Sequence, residues 1–427
     1  MLYSQSKLAN GIKLLTIPLK NTKAITVLVL LPVGSRYEPK ELNGSSHFIE
    51  HMLFKGTKRR PSNLAIAKEL DGIGAEYNAF TGKDHTGYWI KLVSEKLDIA
   101  LDVLSDVIFN SLFDEGEFQR EKGVILEEIK MYEENPLYHI EDVFEETIYG
   151  QHPLGWLISG DIPTIQNLNR EKLLAYKEKF YQPNQMLVVL AGDLQNKQAA
   201  KLIEKYFGHF KTKSSENKYL KFKKPAKKSK SKIKIFFQDI KQVQIALGAF
   251  AYPYNHPLIE ALSLLAIILG GNMSSRLFTE IRVKRGLAYF VKMELNPYQD
   301  TGHYAIRAGV DQEKTIEALS VILDEIKKIR EKGVTLEELN RAKDYIEGTL
   351  KLSLEDSAAL ASWYSKQILL TSKALSPQEK LAKFKKVSRQ DIQRVANFLF
   401  KNQNPNLALI GPFKDKKFFL QILQKGV

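Results

Sequence analysis

The chain repeats itself at an offset of 219 residues, and this duplication limits the possible folds more than any other feature of the sequence. Each copy contains an amphipathic helix that leads through an Asn- and Pro-containing turn into an apolar strand ending in glycine. The paired segments are residues 169–180 and 388–399 for the helix, Leu187–Gly192 and Asn406–Gly411 for the strand, and 12–17 and 231–236 near the start of each copy. Three features aligned at one offset indicate a tandem duplication, so we expect two homologous domains.

Within each copy, short β-branched segments alternate with long amphipathic ones, which predicts α+β or α/β domains, each a sheet covered by helices. We expect strands at 25–31, 76–80, 87–93 and 242–249, and helices near 64–72, 95–110, 114–134, 257–269 and 314–331. The predicted domains are residues 1–211 and 232–427, joined by a linker at 212–231.

The net charge of +14 is concentrated in one segment. Residues 211–232 contain ten lysines and one glutamate, which accounts for +9 of that charge. The segment lacks periodicity, and its two aromatic residues, Tyr219 and Phe222, are too few for a platform on which nucleic-acid bases stack. We interpret it as a solvated linker and expect neither nucleic acid nor a membrane as a partner. A tether for a polyanion is the alternative.

The composition excludes several classes of protein. The chain has no cysteine, which excludes disulfides, thiolate nucleophiles and cysteine-bound zinc. No signal peptide is visible, and the longest apolar stretches, 25–33 and 261–269, are too short to span a membrane. Hydrophobic residues make up 44% of the chain, enough for packed cores. We therefore expect a soluble, cytoplasmic protein.

The chemistry is concentrated at His47, Glu50 and His51. Two histidines four residues apart lie on one face of a helix, where both imidazoles can bind the same cation. Glu50 lies beside them, where its carboxylate can hold a water molecule. HxxEH is the inverted order of the common HExxH zinc motif, which predicts a zinc hydrolase. The alternative without metal binding is two histidines on a polar helix face beside an unrelated glutamate.

Catalytic zinc needs a third protein ligand, and the acidic helix near 114–134 offers the best candidates. Around this helix, Glu121 lies about 40° and Glu128 about 60° from the buried Ile125, whereas Glu127 lies about 160° away. Helical geometry therefore favours Glu128 as the ligand and Glu121 as a carboxylate that orients a histidine. Glutamates at the border of a buried face can equally be plain solvated residues.

These residues and their surroundings resemble the pitrilysin/insulinase family of inverted zinc metallopeptidases, in particular the short branch that includes mitochondrial processing peptidase and its bacterial relatives. The resemblance covers essentially the whole chain. It rests on residues 33–38 (VGSRYE), 43–44 (NG), 47–57 (HFIEHMLFKGT), 74–81 (GAEYNAFT), 124–129 (VILEEI), 152–155 (HPLG), 270–278 (GGNMSSRLF) and 285–289 (RGLAY).

The resemblance implies a ligand set and a fold. In this family the third zinc ligand follows the second histidine after 76 intervening residues, which is Glu128 here, and the orienting carboxylate lies seven residues earlier, at Glu121. Each half is then an α+β domain with a mostly antiparallel sheet of about six strands and flanking helices. Only the N-terminal half binds metal, because the positions equivalent to the HxxEH motif are Ala266, Leu269 and Gly270. We expect one Zn²⁺ per chain.

The resemblance also implies substrate-contacting residues and an assembly. Arg282 and Tyr289 match a pair in the non-metal half that reaches toward the substrate. The strand 78–81 matches an edge strand to which an extended peptide adds. Asn78 would anchor the peptide together with Ala79, and Phe80 would line a side-chain pocket, although ordinary core packing is an alternative for Phe80. Because one chain carries both sets of residues, we expect a homodimer enclosing a chamber.

The predicted function is zinc-dependent endopeptidase activity on unfolded peptides. Zinc would activate a water molecule and polarise the scissile carbonyl, Glu50 would act as the general base, and Tyr289 would stabilise the oxyanion. Two alternatives stay open. One is a non-catalytic or partner-dependent structural subunit of the same family. The other is nucleic-acid binding through the lysine-rich segment, which would depend strongly on salt.

Overall fold

The computed structural model describes residues 3–20, 22–194, 196–213, 218–225 and 229–426. The strands are β1 Ser4–Lys7, β2 Lys13–Pro18, β3 Ala24–Leu31, β4 Glu76–Thr81, β5 Thr86–Val93, β6 Leu187–Gly192, β7 Ile233–Phe237, β8 Gln242–Ala251, β9 Ala288–Pro297, β10 Gly302–Asp311 and β11 Asn406–Gly411.

The helices are α1 Ser45–Leu53, α2 Asn63–Asp71, α3 Leu97–Asn110, α4 Glu115–Glu134, α5 Pro136–Tyr149, α6 Ile162–Asn167, α7 Arg170–Phe180, α8 Asn196–Phe207, α9 Ile259–Ala266, α10 Thr315–Lys332, α11 Leu336–Ser353, α12 Ser357–Thr371, α13 Pro377–Lys386, α14 Arg389–Ala396 and α15 Lys416–Gly426. None of the described helices is both long and apolar enough to cross a membrane.

The strands form two sheets of related topology. The first sheet has the order β1-β2-β6-β3-β5-β4 and the second the order β7-β11-β8-β10-β9. Each contains one parallel pair, β2 with β6 and β7 with β11, and is otherwise antiparallel. Subtracting 219 residues maps β11 onto β6 and places β7, β8 and β10 within three residues of β2, β3 and β5, while β9 overlaps the start of β4. The predicted duplication and the α+β fold class are therefore confirmed.

The second sheet has five strands rather than the expected six. The counterpart of β1 would fall at 223–226, and no strand forms at the described residues of that segment. Pro225 lies there and has no backbone N–H to donate to a ladder, and two lysines precede it. Within the part of the chain that the structure describes, the second sheet therefore has no counterpart of the edge strand β1.

Two compact units result, and neither is continuous in sequence. Unit 1 contains residues Met1–Lys130, Leu157–Leu220 and Lys351–Ser376, and unit 2 contains Met131–Trp156, Lys221–Leu350 and Pro377–Val427. In unit 1, α12 covers one face of the first sheet, where Leu28 and Leu30 pack with Tyr364. In unit 2, α5 covers the equivalent face of the second sheet.

The helices α5 and α12 occupy equivalent positions in the repeat, because 136–149 plus 219 residues falls at 355–368. Each packs in the unit formed mainly by the other half of the chain. The contiguous boundaries 1–211 and 232–427 therefore describe the duplication along the sequence, but the packing units differ from them. A sheet needs cover on both faces, and the repeat does not specify which copy supplies the helix.

The described part of the predicted linker is mostly exposed, but two of its aromatic residues pack against the units. Residues 214–217 and 226–228 of this segment lie outside the described residues. In unit 1, the Arg36 guanidinium lies 4.0 Å from the centroid of the Tyr219 ring. In unit 2, the rings of Phe222 and Tyr149 have centroids 5.1 Å apart. The two aromatic residues therefore attach the linker to one unit each, while most of its other described residues are exposed, as expected for a solvated segment.

Candidate metal centre

Two histidines of α1 and one glutamate of α4 converge in unit 1. The Nε2 atoms of His47 and His51 lie 3.7 and 3.6 Å from the Glu128 carboxylate oxygens. One ligand atom from each of the three residues lies within 4.8 Å of the others. Bonds of about 2.1 Å in a tetrahedral zinc site place ligand atoms about 3.4 Å apart. The spacing therefore matches that of a three-ligand zinc site to within side-chain adjustments.

The helix α1 presents these histidines because its opposite face is buried. Phe48, Ile49, Met52 and Leu53 are fully buried. The helix begins after Gly44, whose φ of 97° lies in the left-handed region that favours glycine. A Cβ at this position would lie 2.5 Å from the carbonyl oxygen of Ser159. Glycine is thus required where the chain turns into the helix.

On α4, the side chains are distributed as the helical geometry predicts. Glu121 is buried, Glu128 is half-buried at the site, and Glu127 is exposed and pairs with Lys130. Phe118, Ile125 and Ile129 are buried on the inner face of α4, whereas Tyr132 near its end is 40% exposed.

Glu121 links His51 to Lys55. Its carboxylate lies 2.7 Å from His51 Nδ1 and 2.6 Å from Lys55 Nζ. Burial opposes ionisation of Glu121, but the hydrogen bonds from His51 and Lys55 outweigh it and lower the pKa of the carboxyl. Burial would lower the pKa of His51, but Glu121 raises it overall. Because the ionised carboxylate can only accept, His51 Nδ1 is the donor to Glu121, and in the neutral imidazole Nε2 then carries the lone pair toward the centre.

Burial also shifts the pKa values of His47 and Glu50. Burial, reinforced by the neighbouring His51, lowers the pKa of His47 to about 3, so this imidazole is neutral. Burial raises the pKa of Glu50, and the hydrogen bond from Thr81 partly offsets this. Thr81 Oγ1 donates to Glu50 Oε2 over 2.5 Å. A carboxylate with a raised pKa is a better proton acceptor near neutral pH. The interaction with Thr81 was not predicted from the sequence.

A cavity of about 200 Å³ opens beside the site, between α1, α2 and β4. Its lining combines catalytic candidates with apolar side chains: Glu50, His51, Phe54, Lys55, Asn63, Ile66, Ala67, Tyr77, Asn78, Ala79 and Glu121. Asn78 and Ala79 are thus at the cavity, on the edge strand of the sheet. The Asn78 carboxamide oxygen accepts a hydrogen bond from the Ala79 N–H over 2.8 Å.

Phe80 does not line this cavity. Its ring packs over Gly87, where a Cβ would lie 2.3 Å from the ring, and meets the ring of His85 edge-on. Neighbouring residues of a strand point to opposite faces, so Phe80 faces away from Ala79. Phe80 is partly buried and packs against the core beside the first sheet, whereas Tyr77 lines the cavity. A contact between Phe80 and a substrate side chain stays a prediction.

Arg282 and Tyr289 lie next to each other in unit 2. Arg282 belongs to a π-helical turn, Phe278–Val283, and its guanidinium carbon is 5.4 Å from the centroid of the Tyr289 ring. Tyr289 is 73% exposed. Among the described residues, the group around His47 is the one that combines three possible metal ligands.

Family models also distinguish an N-terminal peptidase region from a C-terminal inactive domain. Residues 13–161 match the family model "Insulinase (Peptidase family M16)", and residues 167–346 match "Peptidase M16 inactive domain". The uncharacterized zinc protease YmxG of Bacillus subtilis is 34% identical over 403 residues, which cover 94% of this chain and 97% of the relative. An uncharacterized zinc protease of Streptomyces coelicolor is 32% identical and covers 97% of this chain and 90% of its own length.

Solved structures show the same fold. A protease from Helicobacter pylori superposes with a TM-score of 0.91 at 27% identity, covering 96% of this chain and 99% of its own. A Pseudomonas fluorescens structure described as a peptidase M16 inactive domain gives a TM-score of 0.89 at 21% identity, covering 97% of this chain and 98% of its own. At this identity the second likeness concerns the fold alone.

Proposed function

The chain belongs to the insulinase family of peptidases, family M16, and on that basis we propose that it is a zinc-dependent endopeptidase acting on unfolded peptides. The observation that carries the proposal is the convergence of His47, His51 and Glu128 on one point, with Glu50 beside them.

The donor set fits zinc. Two imidazole nitrogens and a carboxylate oxygen are the ligands of several catalytic zinc sites. The separations of 3.6 and 3.7 Å between Glu128 and the two imidazoles are too long for good hydrogen bonds. With His51 Nδ1 engaged by Glu121, a cation is the partner that these converging lone pairs lack.

Bound zinc would supply Lewis acidity toward a water molecule and a peptide carbonyl. Glu50 takes a proton from that water and delivers it to the leaving amine nitrogen, while Thr81 holds the other carboxylate oxygen in place. Glu121 keeps the His51 imidazole in one orientation. By family resemblance, the phenol of Tyr289 donates to the developing oxyanion, and Arg282 beside it positions that phenol or a substrate carbonyl.

The free edge of β4 is proposed to receive the substrate. An extended peptide can add there as a further strand, with Asn78 and Ala79 contributing backbone groups and the adjacent cavity receiving a side chain. Because strand addition needs an extended backbone, the proposed substrates are unfolded peptides.

A homodimer is the proposed assembly. Sedimentation equilibrium would test it, since a monomer at micromolar concentration would contradict it.

The non-catalytic alternative predicts a site unable to bind or use metal. The region that matches the inactive domain, residues 167–346, contains none of the four site residues, all of which lie within 13–161. This distribution favours one catalytic and one non-metal half over a chain that is inactive throughout.

The test compares the purified wild type with Glu50→Gln for zinc content and for cleavage of a mixed library of unstructured peptides. We expect about one zinc per chain in both proteins and hydrolysis by the wild type alone. Glu127→Gln is the matched control, since Glu127 is exposed on α4 and should leave both properties unchanged. Zinc without cleavage by the wild type would favour the non-catalytic or partner-dependent role. Absence of zinc would refute the proposal.

A further inference from the structure

A buried carboxylate, that of Glu38, holds the start of the helix that carries the metal-ligating histidines. Glu38 is 3% exposed, and its carboxylate accepts hydrogen bonds from Asn43, Gly44 and Ser46. Oε2 accepts from the Gly44 N–H over 2.7 Å and from Asn43 Nδ2 over 3.0 Å, and Oε1 accepts from the Ser46 N–H over 2.7 Å. Ser46 directly precedes His47, so one of these bonds ends one peptide unit from a proposed ligand.

The bonding pattern requires an acceptor on both side-chain oxygens. The first N–H groups of a helix have no partner within the helix, and the positive end of its dipole favours an anion. An ionised carboxylate has two acceptor oxygens and no donor, whereas a glutamine would turn an NH₂ group toward at least one of these N–H groups. The three donors therefore select the carboxylate over its neutral isostere.

This cap differs from those of other helices in the chain. Several helices are capped by the residue immediately before their first turn: Ser62 for α2, Asp161 for α6, Asn169 for α7 and Ser388 for α14. The cap of α1 comes instead from a residue six positions before Gly44, and it is buried. Burial raises the pKa of Glu38 to about 7, so keeping this group ionised costs the fold stability.

The side chain of Ser46 is also held, by a residue of another helix. Ser46 Oγ lies 3.1 Å from the hydroxyl of Tyr176, a buried residue of α7. The backbone N–H and the side chain of Ser46 are thus both held by buried groups. Because His47 follows directly, its backbone begins from a peptide that is held on both sides.

We propose that Glu38 is a positioning residue of the metal centre, whose carboxylate fixes the first turn of α1 and thereby aims His47 at the point shared with His51 and Glu128. The inference rests on the proposed zinc function. It assigns to residues 33–38 a role in addition to their packing: Arg36 holds the linker at Tyr219, and Glu38 holds the metal helix.

The test replaces Glu38 by glutamine and measures metal binding directly. Zinc affinity is determined by competition with a chromophoric chelator, and the Co²⁺-substituted protein is examined by visible absorption, which reports ligand geometry. We expect zinc affinity about 10- to 100-fold weaker and altered cobalt bands, at a temperature where circular dichroism shows the variant folded. Asp391→Asn, which removes part of the capping box of α14 in unit 2, is the control and should change neither.

The outcomes separate this inference from the proposed function. Equal zinc affinity and identical cobalt spectra for Glu38→Gln and wild type would overturn the inference alone. A wild type that binds neither metal would overturn the proposed function and, with it, the inference. If Glu38→Gln does not fold, Glu38→Asp keeps the charge on a shorter side chain that cannot reach all three donors. It is expected to shift the cobalt bands, and an unchanged spectrum would refute the proposal.

Discussion

Removing the charge of Glu121 should weaken zinc binding without dismantling the site. Glu121 makes two short charge-assisted contacts, 2.7 Å to His51 Nδ1 and 2.6 Å to Lys55 Nζ, and is 3% exposed. Lys55 is partly exposed and can turn toward water when its partner is lost. The contact with His51 therefore decides the effect on the metal.

The magnitude follows from that contact. A hydrogen bond to a charged group contributes about 1.5–3 kcal/mol, and each 1.4 kcal/mol is a factor of ten in affinity. A glutamine at position 121 still accepts from His51 Nδ1 but carries no charge, so Glu121→Gln should weaken zinc binding about 10-fold. Glu121→Leu removes the acceptor as well and should weaken it about 100-fold.

The assay is competition for zinc between each variant and a chelator of known affinity at fixed pH and ionic strength. Glu117→Gln is the matched control, because Glu117 lies one turn earlier on α4 and pairs with exposed Arg120. Its zinc affinity should stay within about twofold of the wild type, in line with the small contribution of exposed ion pairs. Unchanged affinity in both Glu121 variants would refute a role for this carboxylate in orienting His51.

Three further predictions concern the fold and the reaction. Gly44→Ala places a Cβ 2.5 Å from the Ser159 carbonyl oxygen at a φ of 97°, so urea unfolding should show a loss of about 2–4 kcal/mol, and a loss below about 0.5 kcal/mol would contradict the prediction. Burial would raise the pKa of Glu338, but the hydrogen bonds from Arg276 lower it to about 2, so its stabilisation is present above about pH 4.5 and is lost as the pH falls toward 2. After allowance for solvent screening, Glu338→Gln should be less stable than the wild type by about 1–2 kcal/mol at pH 6 and equally stable near pH 2, and a difference that does not change with pH would exclude the ion pair as its cause. Tyr289→Phe should lower kcat about 100-fold with little change in KM, and a change in KM alone would exclude stabilisation of the oxyanion.

The hydrophobic periodicity of the sequence correctly predicted most of the helices and strands around the site. The strands β3, β4, β5 and β8 and the helices α2, α3, α4 and α10 lie within a few residues of their predicted positions. Helical geometry also distinguishes Glu128 and Glu121 from Glu127, in agreement with their burial. These predictions depend on periodicity within one element, which the sequence records directly.

Features that depend on contacts between distant segments were not predicted. Each of the equivalent helices α5 and α12 packs in the unit formed mainly by the other half of the chain. The sequence repeat looks the same whether or not these two helices are exchanged, so it could not predict this packing. The sequence left open whether Phe80 lines a pocket or packs in the core, and its contacts with buried side chains depend on which face of β4 is covered. The roles of Glu38 and Thr81 likewise depend on side chains that meet only in the folded chain.

The central claim, that His47, His51 and Glu128 hold one zinc ion beside Glu50, is tested most directly by anomalous diffraction at the zinc absorption edge. Crystals of the Glu50→Gln variant grown with zinc would retain the ion while preventing turnover. We predict one strong anomalous peak per chain, about 2.0–2.2 Å from a ring nitrogen of each histidine and from a Glu128 carboxylate oxygen. A zinc peak elsewhere in the chain, or no peak with these three side chains ordered, would contradict the claim.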